Sequence, residues 1–387
     1  MITTLAVEGY RSLRRLVLPL GALTVVTGPN GSGKSSLYRA MRLLADSSRN
    51  GAVAALAREG GLPSTLWAGP AVIGKGVRSG DYAVEPTVRA GPVGLRLGFA
   101  GDEFGYAVDF GLPSSPGSTH FQLDPEIKRE AIWTGPVLRP ATLLSDRHNS
   151  QVRLREDDGS WWAVPRSLPT YDSMLSEVAD LDRAPELVTV RQHLRSWRFY
   201  DHFRTDAQAP ARASHIGTRT TALGHDGADL AAALQTIVEI GDRGALERAI
   251  DDAFPGSRLE VQRSGGLFSL QLFQHGLLRP LGSAELSDGT LRYLLLVAAL
   301  LTPRPPSLMV LNEPETSLHP DLLGPLGALI TRAAASTQVV VVSHARTLID
   351  ALAAGSPATL ELVKDVGETR LVGQRPLDQP PWKWPER

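Results

Sequence analysis

Residues 24–38 read TVVTGPNGSGKSSLY: a β-branched run, a turn dense in glycine, and the start of an apolar-periodic segment. The run from Ala22 stops at Gly28, as a strand stopped by a glycine turn does. From Lys34 onward, Leu37, Met41 and Leu44 recur at helical spacing. Gly28 to Ser35 fits GxxxxGK[ST] in full and sits between a predicted strand and a predicted helix, the context that a phosphate-binding loop requires. Glycines let successive main-chain N–H groups turn inward around phosphate oxygens, and the helix N-terminus adds partial positive charge. The binding candidates are therefore Gly28, Pro29, Asn30, Gly31, Ser32, Gly33, Lys34, Ser35 and Ser36. Lys34 is expected to reach the β- and γ-phosphates of ATP and Ser35 to ligate Mg²⁺.

In an open parallel sheet, ligands bind beyond the carboxyl ends of the strands. Three predicted strands end in polar residues: TVVT at the loop, SLMVL at Asn312 and Glu313, and QVVVV at Ser343 and His344. Glu313 is the candidate for orienting or deprotonating an attacking water, because phosphoryl transfer needs a positioned acceptor more than covalent chemistry. His344 is the candidate partner of the γ-phosphate or of that water. Asn312 stands where a magnesium-handling Asp is expected, and its neutral amide brings no negative charge to the metal. A fourth piece is AELSDGTLRYLLL, where Ser287 or Asp288 can cap a strongly apolar helix and Gly289 allows close approach to its start. Ser287, Asp288 and Gly289 thus form a candidate anion-facing terminus. Taken alone, they read equally well as the cap of a core helix.

The composition, 42% apolar with a formal net charge of -1 over 387 residues, allows a large core and argues against a uniformly basic, nucleic-acid-binding surface. A local basic patch survives that average. The absence of cysteine excludes disulfides, thiolate metal sites and a Cys nucleophile. The N-terminus alternates instead of presenting the apolar core of a secretory signal, and the longest apolar stretch, Tyr293 to Thr302, is too short to cross a bilayer. A soluble, cytoplasmic protein without membrane contact is expected.

Along the chain, strand-like segments open residues 1–45. Residues 46–222 turn to Gly, Pro and Trp with short alternating runs, which predicts a β-rich and then helical insertion with mobile loops at LPSSPGSTH and TDAQAPARASH. Residues 223–366 alternate helix and strand as a parallel α/β sheet does. Residues 367–387 read as a Pro-rich tail without defined elements. No sustained heptad pattern is present, so long coiled-coil arms are not expected.

As an ordered set these motifs resemble the ABC-type ATPase heads of the SMC, RecF and OLD class, and most closely a family of bacterial AAA-type ATPases. GYRSL at residues 9–13 resembles the opening strand motif, GPNGSGKSS the Walker A loop, LSDGT at residues 286–290 the signature, LMVLNEPE the Walker B strand with its glutamate, TSLHP the D-loop region, and VVVVSH the switch histidine. The likeness covers about residues 1–45 and 223–350. It implies an α/β fold, a P-loop NTPase, ABC-type head with an N-terminal antiparallel β lobe, to which this chain's own sequence adds a mixed β/α insertion and no long coiled coil. It also implies an ATPase that forms a homodimer on binding ATP, with Ser287 and Gly289 of one copy touching the γ-phosphate held by Lys34 of the other.

Two departures stand out. Asn312 replaces the Walker B Asp, which predicts weak magnesium binding and slow turnover, with Glu315 a further acid nearby. The chain after His344 holds no acidic metal cluster, and the insertion is too rich in Gly and Pro for coiled-coil arms. A head with a compact cap is the expectation. Gln122 is the candidate for the Q-loop glutamine. Three roles fit: an ATP-switched dimer in DNA repair or maintenance, an ATPase sensor of a defence system that signals to a separately encoded effector protein, and, less readily, a transporter ATPase. For DNA the local clue is VRQHLRSWRFYDHFR, where Arg191, Arg195 and Arg198 fall on one face if the segment is a single helix.

Overall fold

The computed structural model describes residues 1–49, 51–70, 73–78, 94–113, 120–375 and 377–387. The chain forms two compact units. Met1–Gly21, Val26–Trp197 and Leu360–Arg387 make the first, and Ala22–Val25 with Arg198–Thr359 the second.

The first unit opens with β1 (Ile2–Tyr10) and β2 (Leu13–Pro19), followed by the last two residues of β3 (Leu23–Thr27) and helix α1 (Lys34–Ser47). Short helices α2 (Ala52–Arg58), α3 (Leu62–Thr65) and α4 (Lys75–Arg78) follow. The antiparallel strands are β4 (Gly94–Gly101), β5 (Phe104–Gly111), β6 (Glu126–Thr134), β7 (Leu143–His148), β8 (Gln151–Arg155) and β9 (Trp161–Ala163), and after them come α5 (Met174–Glu177) and α6 (Pro185–Ser196). The eight-stranded sheet has the order β2-β1-β4-β5-β6-β7-β8-β9. The strands of the Gly-, Pro- and Trp-rich stretch therefore extend the same sheet as the opening hairpin, through antiparallel pairing of β1 with β4. Buried inside this unit, Arg147 donates to Glu130 at 3.0 Å and to the carbonyls of Asn149 and Pro169 at 2.6 and 2.8 Å, while Tyr106 and Ser173 donate to the same Glu130 carboxylate. A buried ion pair is tolerated where its remaining donors and acceptors are met, as they are here.

The second unit holds β10 (Arg198–Tyr200), β11 (His215–Ile216), α7 (Leu230–Ile240), α8 (Arg243–Ala253), β12 (Arg258–Ser264), β13 (Leu267–Phe273), β14 (Leu281–Gly282), α9 (Asp288–Leu300), β15 (Leu308–Asn312), α10 (Leu323–Ala333), β16 (Gln338–Val342) and α11 (Arg346–Leu352). β10, β15 and β16 run parallel in that order, and Val339 of β16 donates to the carbonyl of Ala22 at 2.8 Å on the side of β3. All five residues of β16 are buried, the continuous apolar run expected of a parallel strand covered on both faces. Leu291 through Leu300 of α9 are all buried against this sheet. β12 and β13 form an antiparallel hairpin, with β11 on its flank.

The chain ends in the first unit with β17 (Ala358–Asp365, whose residues from Leu360 on belong there) and β18 (Glu368–Leu371), an antiparallel pair. The segment read as a featureless tail is ordered by its aromatic residues: Trp382 meets Trp133 edge-on at 5.6 Å, and Arg387 bonds both oxygens of Asp109 at 2.6 and 2.7 Å. Indole packing of this kind orders a Pro-rich segment that has no periodicity to betray it. Of the two loops expected to be mobile, residues 112–120 lie largely outside the described residues. The other, residues 205–215, is tied down by Arg212, as shown below. Among the described residues the longest helix is α1 with 14 residues, too short for coiled-coil arms. No described helix is long and apolar enough to cross a membrane.

Candidate functional site

In the first unit the loop between β3 and α1 is built around left-handed glycines. Gly28 has φ 138° and Gly33 φ 108°; a Cβ would sit 2.1 Å from the carbonyl oxygen of Leu362 at the first and 2.2 Å from Oγ1 of Thr369 at the second. Only glycine fits such positions. The hydroxyl of Thr369, on β18, donates to the carbonyl of Ser32 at 2.8 Å and contacts Ser12 Oγ at the same distance, so the loop is held from behind. Lys34 is buried and its Nζ donates to the carbonyls of Gly28 at 2.7 Å and Pro29 at 3.1 Å. Ser32 Oγ is buried with no hydrogen-bond partner among the described residues, and Ser35 is exposed at the first turn of α1. The donor set fits a polyphosphate: an ammonium parked on its own loop's carbonyls, a helix start without a side-chain cap, and an orphaned hydroxyl. Pro29, Asn30 and Gly31 form the exposed lip of the loop, and Ser36 is half-buried behind Ser35.

In the second unit the parallel register places Asn312 opposite Val342, so the residues that follow β15 and β16 emerge side by side. Glu313 continues the pairing by donating its N–H to Val342 at 2.8 Å, then turns into the left-handed region at φ 48°. Its half-buried carboxylate lies 3.7 Å from Nδ1 of the exposed His344. Glu315 is buried. Its Oε1 accepts the Ser343 hydroxyl at 2.6 Å and the N–H groups of His344 and Ala345 at 3.2 and 3.3 Å, and it lies 3.6 Å from His344 Nδ1. Glu315 is thus occupied in holding the histidine loop, through one oxygen. Asn312 is half-buried and its Oδ1 has no hydrogen-bond partner among the described residues, which leaves a neutral acceptor for a metal-bound water. Asn312 is, like Ser35 of the first unit, an uncharged oxygen donor of the kind that Mg²⁺ accepts.

Ser287 caps α9, its Oγ accepting the N–H of Thr290 at 3.1 Å, and both Ser287 and Asp288 are exposed. Arg212 fixes this loop. Its guanidinium donates to the carbonyls of Ser283, Ala284 and Leu286 at 3.1, 3.2 and 2.7 Å and to Asp288 Oδ1 at 2.7 Å, and it also bonds the carbonyl of Thr205. A short 3₁₀ turn at Pro210–Arg212 delivers it. Further into α9, Arg292 is buried and donates from Nη2 to the carbonyls of Asp201 at 3.1 Å and Glu313 at 3.2 Å. Burial lowers its pKa from the ordinary guanidinium value, while the charges of Glu315, Asp201 and Glu313 oppose that shift.

Asn312, Glu313 and His344, together with Glu315, are gathered in the second unit, which also carries Ser287, Asp288 and Gly289; the residues Gly28 to Ser36 belong to the first unit. Arg212, Arg292, Thr369 and the buttressing role of Glu315 were not anticipated. A lone arginine in an otherwise apolar helix was the available signal for Arg292; Arg212 and Thr369 had none. Gln122 is exposed in the turn at residues 121–124. The arginine face does not form. α6 ends at Ser196, Trp197 leaves the helix with ψ 138°, and Arg198 opens β10. Arg191 and Arg195 are spent on the carbonyls of Leu175 at 3.3 Å and Ser48 at 3.1 Å. The helical spacing carried across a Trp that buries its indole, and burial ended the helix.

A family model described as AAA domain, putative AbiEii toxin, Type IV TA system matches residues 23–350, a span that takes in the Gly28–Ser36 loop, Ser287–Gly289, Asn312–Glu315 and His344. The chain belongs to this family. Domains of the AAA family are in general ATP-binding ATPases. The OLD nuclease of Thermus scotoductus is 46% identical over 44 residues, which are 11% of this chain and 8% of that nuclease. This AAA-family chain thus matches less than a tenth of that relative's length. A solved SMC head, bound to the C-winged helix domain of ScpA, matches with a TM-score of 0.51 at 15% identity over 96% of each chain. The fold is accordingly that of an SMC-type P-loop NTPase head, in mixed α/β architecture.

Proposed function

We propose that this AAA-family chain is a cytoplasmic ATP-binding and slowly ATP-hydrolysing head that pairs with a second copy when ATP is bound and acts in DNA maintenance, in the class of double-strand break repair. The observation that carries the ATP reading is the loop Gly28 to Ser36, with buried Lys34 resting on carbonyls that phosphate oxygens would replace. In this reading Lys34 exchanges its loop carbonyls for the β- and γ-phosphates, and Glu313 orients and deprotonates the attacking water. His344 hydrogen-bonds the γ-phosphate or that water. Ser35 and Asn312 would hold Mg²⁺, which neutralises charge developing between the β- and γ-phosphates. Ser287 and Gly289 present their helix start to the γ-phosphate held by the second copy. The DNA role is supported by the short likeness to an OLD nuclease.

A second reading has its own support: the family description names a putative AbiEii toxin of a type IV toxin–antitoxin system, which fits an ATPase sensor that works with a separate effector protein in defence. One set of measurements separates them. Sedimentation of Glu313→Gln with and without ATP is expected to show a doubling of mass, and a monomer in both states refutes ATP-driven pairing. ATP turnover of the wild type and of Lys34→Ala is then measured without DNA and with duplex, single-stranded or nicked DNA. Stimulation by DNA supports maintenance, and indifference to every DNA form favours the effector-linked role.

A further inference from the structure

The segment after β15 and the start of α9 touch at two points inside the second unit. Arg292 donates to the carbonyl of Glu313, and Gly289 backs onto the carbonyl of Ser317 so closely that a Cβ there would lie 3.0 Å from it. Between these two points the chain holds two non-glycine residues in the left-handed region, Glu313 at φ 48° and Ser317 at φ 64°. Non-glycine residues hold such angles only where the surroundings over-determine them. At Glu313 the surroundings comprise the bond from its N–H to Val342, the bond from Thr316 to its carbonyl at 3.1 Å, and Arg292.

Arg292 is an unusual choice for that task. Apart from Asp288 in the first turn it is the only charged residue of α9, it is 2% exposed, and its Nη2 bonds go to main-chain carbonyls instead of to a carboxylate. Its Nε has no hydrogen-bond partner among the described residues, and neither has the buried Oε2 of Glu315. An arginine kept buried and incompletely matched is costly for a purely architectural role, since well-packed apolar residues serve architecture at least as well. What it does supply is a rigid fork whose single Nη2 bridges the ends of β10 and β15, at the carbonyls of Asp201 and Glu313.

We infer that Arg292 is a positioning residue for ATP hydrolysis: from the helix that Ser287 caps, it holds the left-handed turn at Glu313 and so aims that carboxylate. The inference rests on the ATPase reading above. It makes the helix start and the acid one mechanical piece, so that whatever engages Ser287 and Gly289 also bears on the direction of Glu313. Arg292 need not touch ATP, so it acts on turnover and not on binding.

The test compares wild type, Arg292→Lys and Arg292→Gln in ATP turnover, in binding of a fluorescent ATP analogue and in thermal melting. Lys keeps the charge but not the fork, and Gln removes the charge. Expected are a fall in kcat of about 3- to 10-fold for Lys and about 30-fold or more for Gln, with KM and analogue affinity within about 3-fold of wild type. Retention of kcat by both variants overturns the inference, as does a loss of analogue affinity in step with kcat. If Arg292→Gln fails to melt cooperatively, Arg292→Lys alone decides, and an unchanged kcat in it overturns the inference. Wild type that neither binds the analogue nor hydrolyses ATP sinks the ATPase reading itself, a result distinct from active wild type with indifferent Arg292 variants.

Discussion

Ser343 Oγ donates to Glu315 Oε1 at 2.6 Å, and that one buried oxygen also accepts the N–H groups of His344 and Ala345. The carboxylate two residues after Glu313 is therefore the anchor of the histidine loop. Glu315→Leu strands the Ser343 hydroxyl and the His344 N–H, while Ala345 keeps its bond to Ser343 Oγ at 3.1 Å, and each stranded group costs about 1–3 kcal/mol when buried. A loss of about 3 kcal/mol in urea unfolding is expected, with turnover lower by about 10-fold because His344 is no longer held. Glu315→Gln keeps an acceptor in place and is expected to lose about 1 kcal/mol. Equal stability of the Leu variant and the wild type contradicts the anchoring role.

Arg212 performs a similar service for the loop before α9. Its guanidinium reaches the carbonyls of Ser283, Ala284 and Leu286 and the carboxylate of Asp288 from a strand-poor segment, and its side chain is only 10% exposed. Arg212→Ala is expected to cost about 2–4 kcal/mol and to weaken ATP-driven pairing of Glu313→Gln by about 10-fold, with monomer affinity for ATP unchanged. Arg212→Lys recovers part of this, because a point ammonium cannot span the same set. Sedimentation at several protein concentrations measures it. Undiminished pairing of the Ala variant shows that the loop holds without its staple.

His193, on α6, is the residue whose titration reports on the first unit. Burial, with a smaller contribution from the positive N-terminal amine, lowers its pKa from 6.5 to about 4. Its ring lies against Phe99 at 5.8 Å and Trp197 at 6.2 Å. The unfolded chain takes up this proton near its ordinary value and the folded chain does not, so stability from this group is full above about pH 6.5 and is lost as pH falls toward about 4. Between pH 7.5 and pH 4.5 the wild type is expected to lose about 2 kcal/mol more than His193→Phe in urea unfolding. Parallel losses in the two proteins remove His193 as the cause.

The parts of the fold that could be read in the sequence are those with a local signature. The strand, glycine turn and helix around Lys34 announce themselves because left-handed glycines and helical spacing are local properties. Runs such as SLMVL and QVVVV mark covered parallel strands, and their register then brings Glu313 beside His344. What could not be read depends on side chains that act over long sequence separations. Arg212 lies in a Pro- and Ala-rich stretch whose composition says loop, yet its bonds go to residues more than seventy positions later. Trp382 orders a Pro-rich segment by packing on Trp133, a contact that no periodicity encodes. Helical spacing across Arg191, Arg195 and Arg198 failed for the converse reason: burial of Trp197 ended the helix between the second arginine and the third.

Asn312 poses the sharpest chemical question. It closes β15, its Oδ1 lacks a partner among the described residues, and the next acids, Glu313 and Glu315, face His344. Asn312→Asp changes one atom's identity and adds a full negative charge where a magnesium-bound water is expected. Hard cations bind oxygen sites in proportion to ligand charge, so the Mg²⁺ concentration giving half-maximal turnover is expected to fall by about 3- to 10-fold, with faster turnover at limiting Mg²⁺. The new carboxylate also stands beside Glu313 and Glu315, and without metal the like charges repel. In EDTA, Asn312→Asp is therefore expected to melt below the wild type, and in excess Mg²⁺ with a non-hydrolysable ATP analogue to melt at or above it. This crossing is a signature that a change in packing would not give, since the two side chains have nearly the same shape. Identical Mg²⁺ dependence of turnover and melting in the two proteins would mean that residue 312 does not face the ion, and the expectation of slow hydrolysis would fall with it.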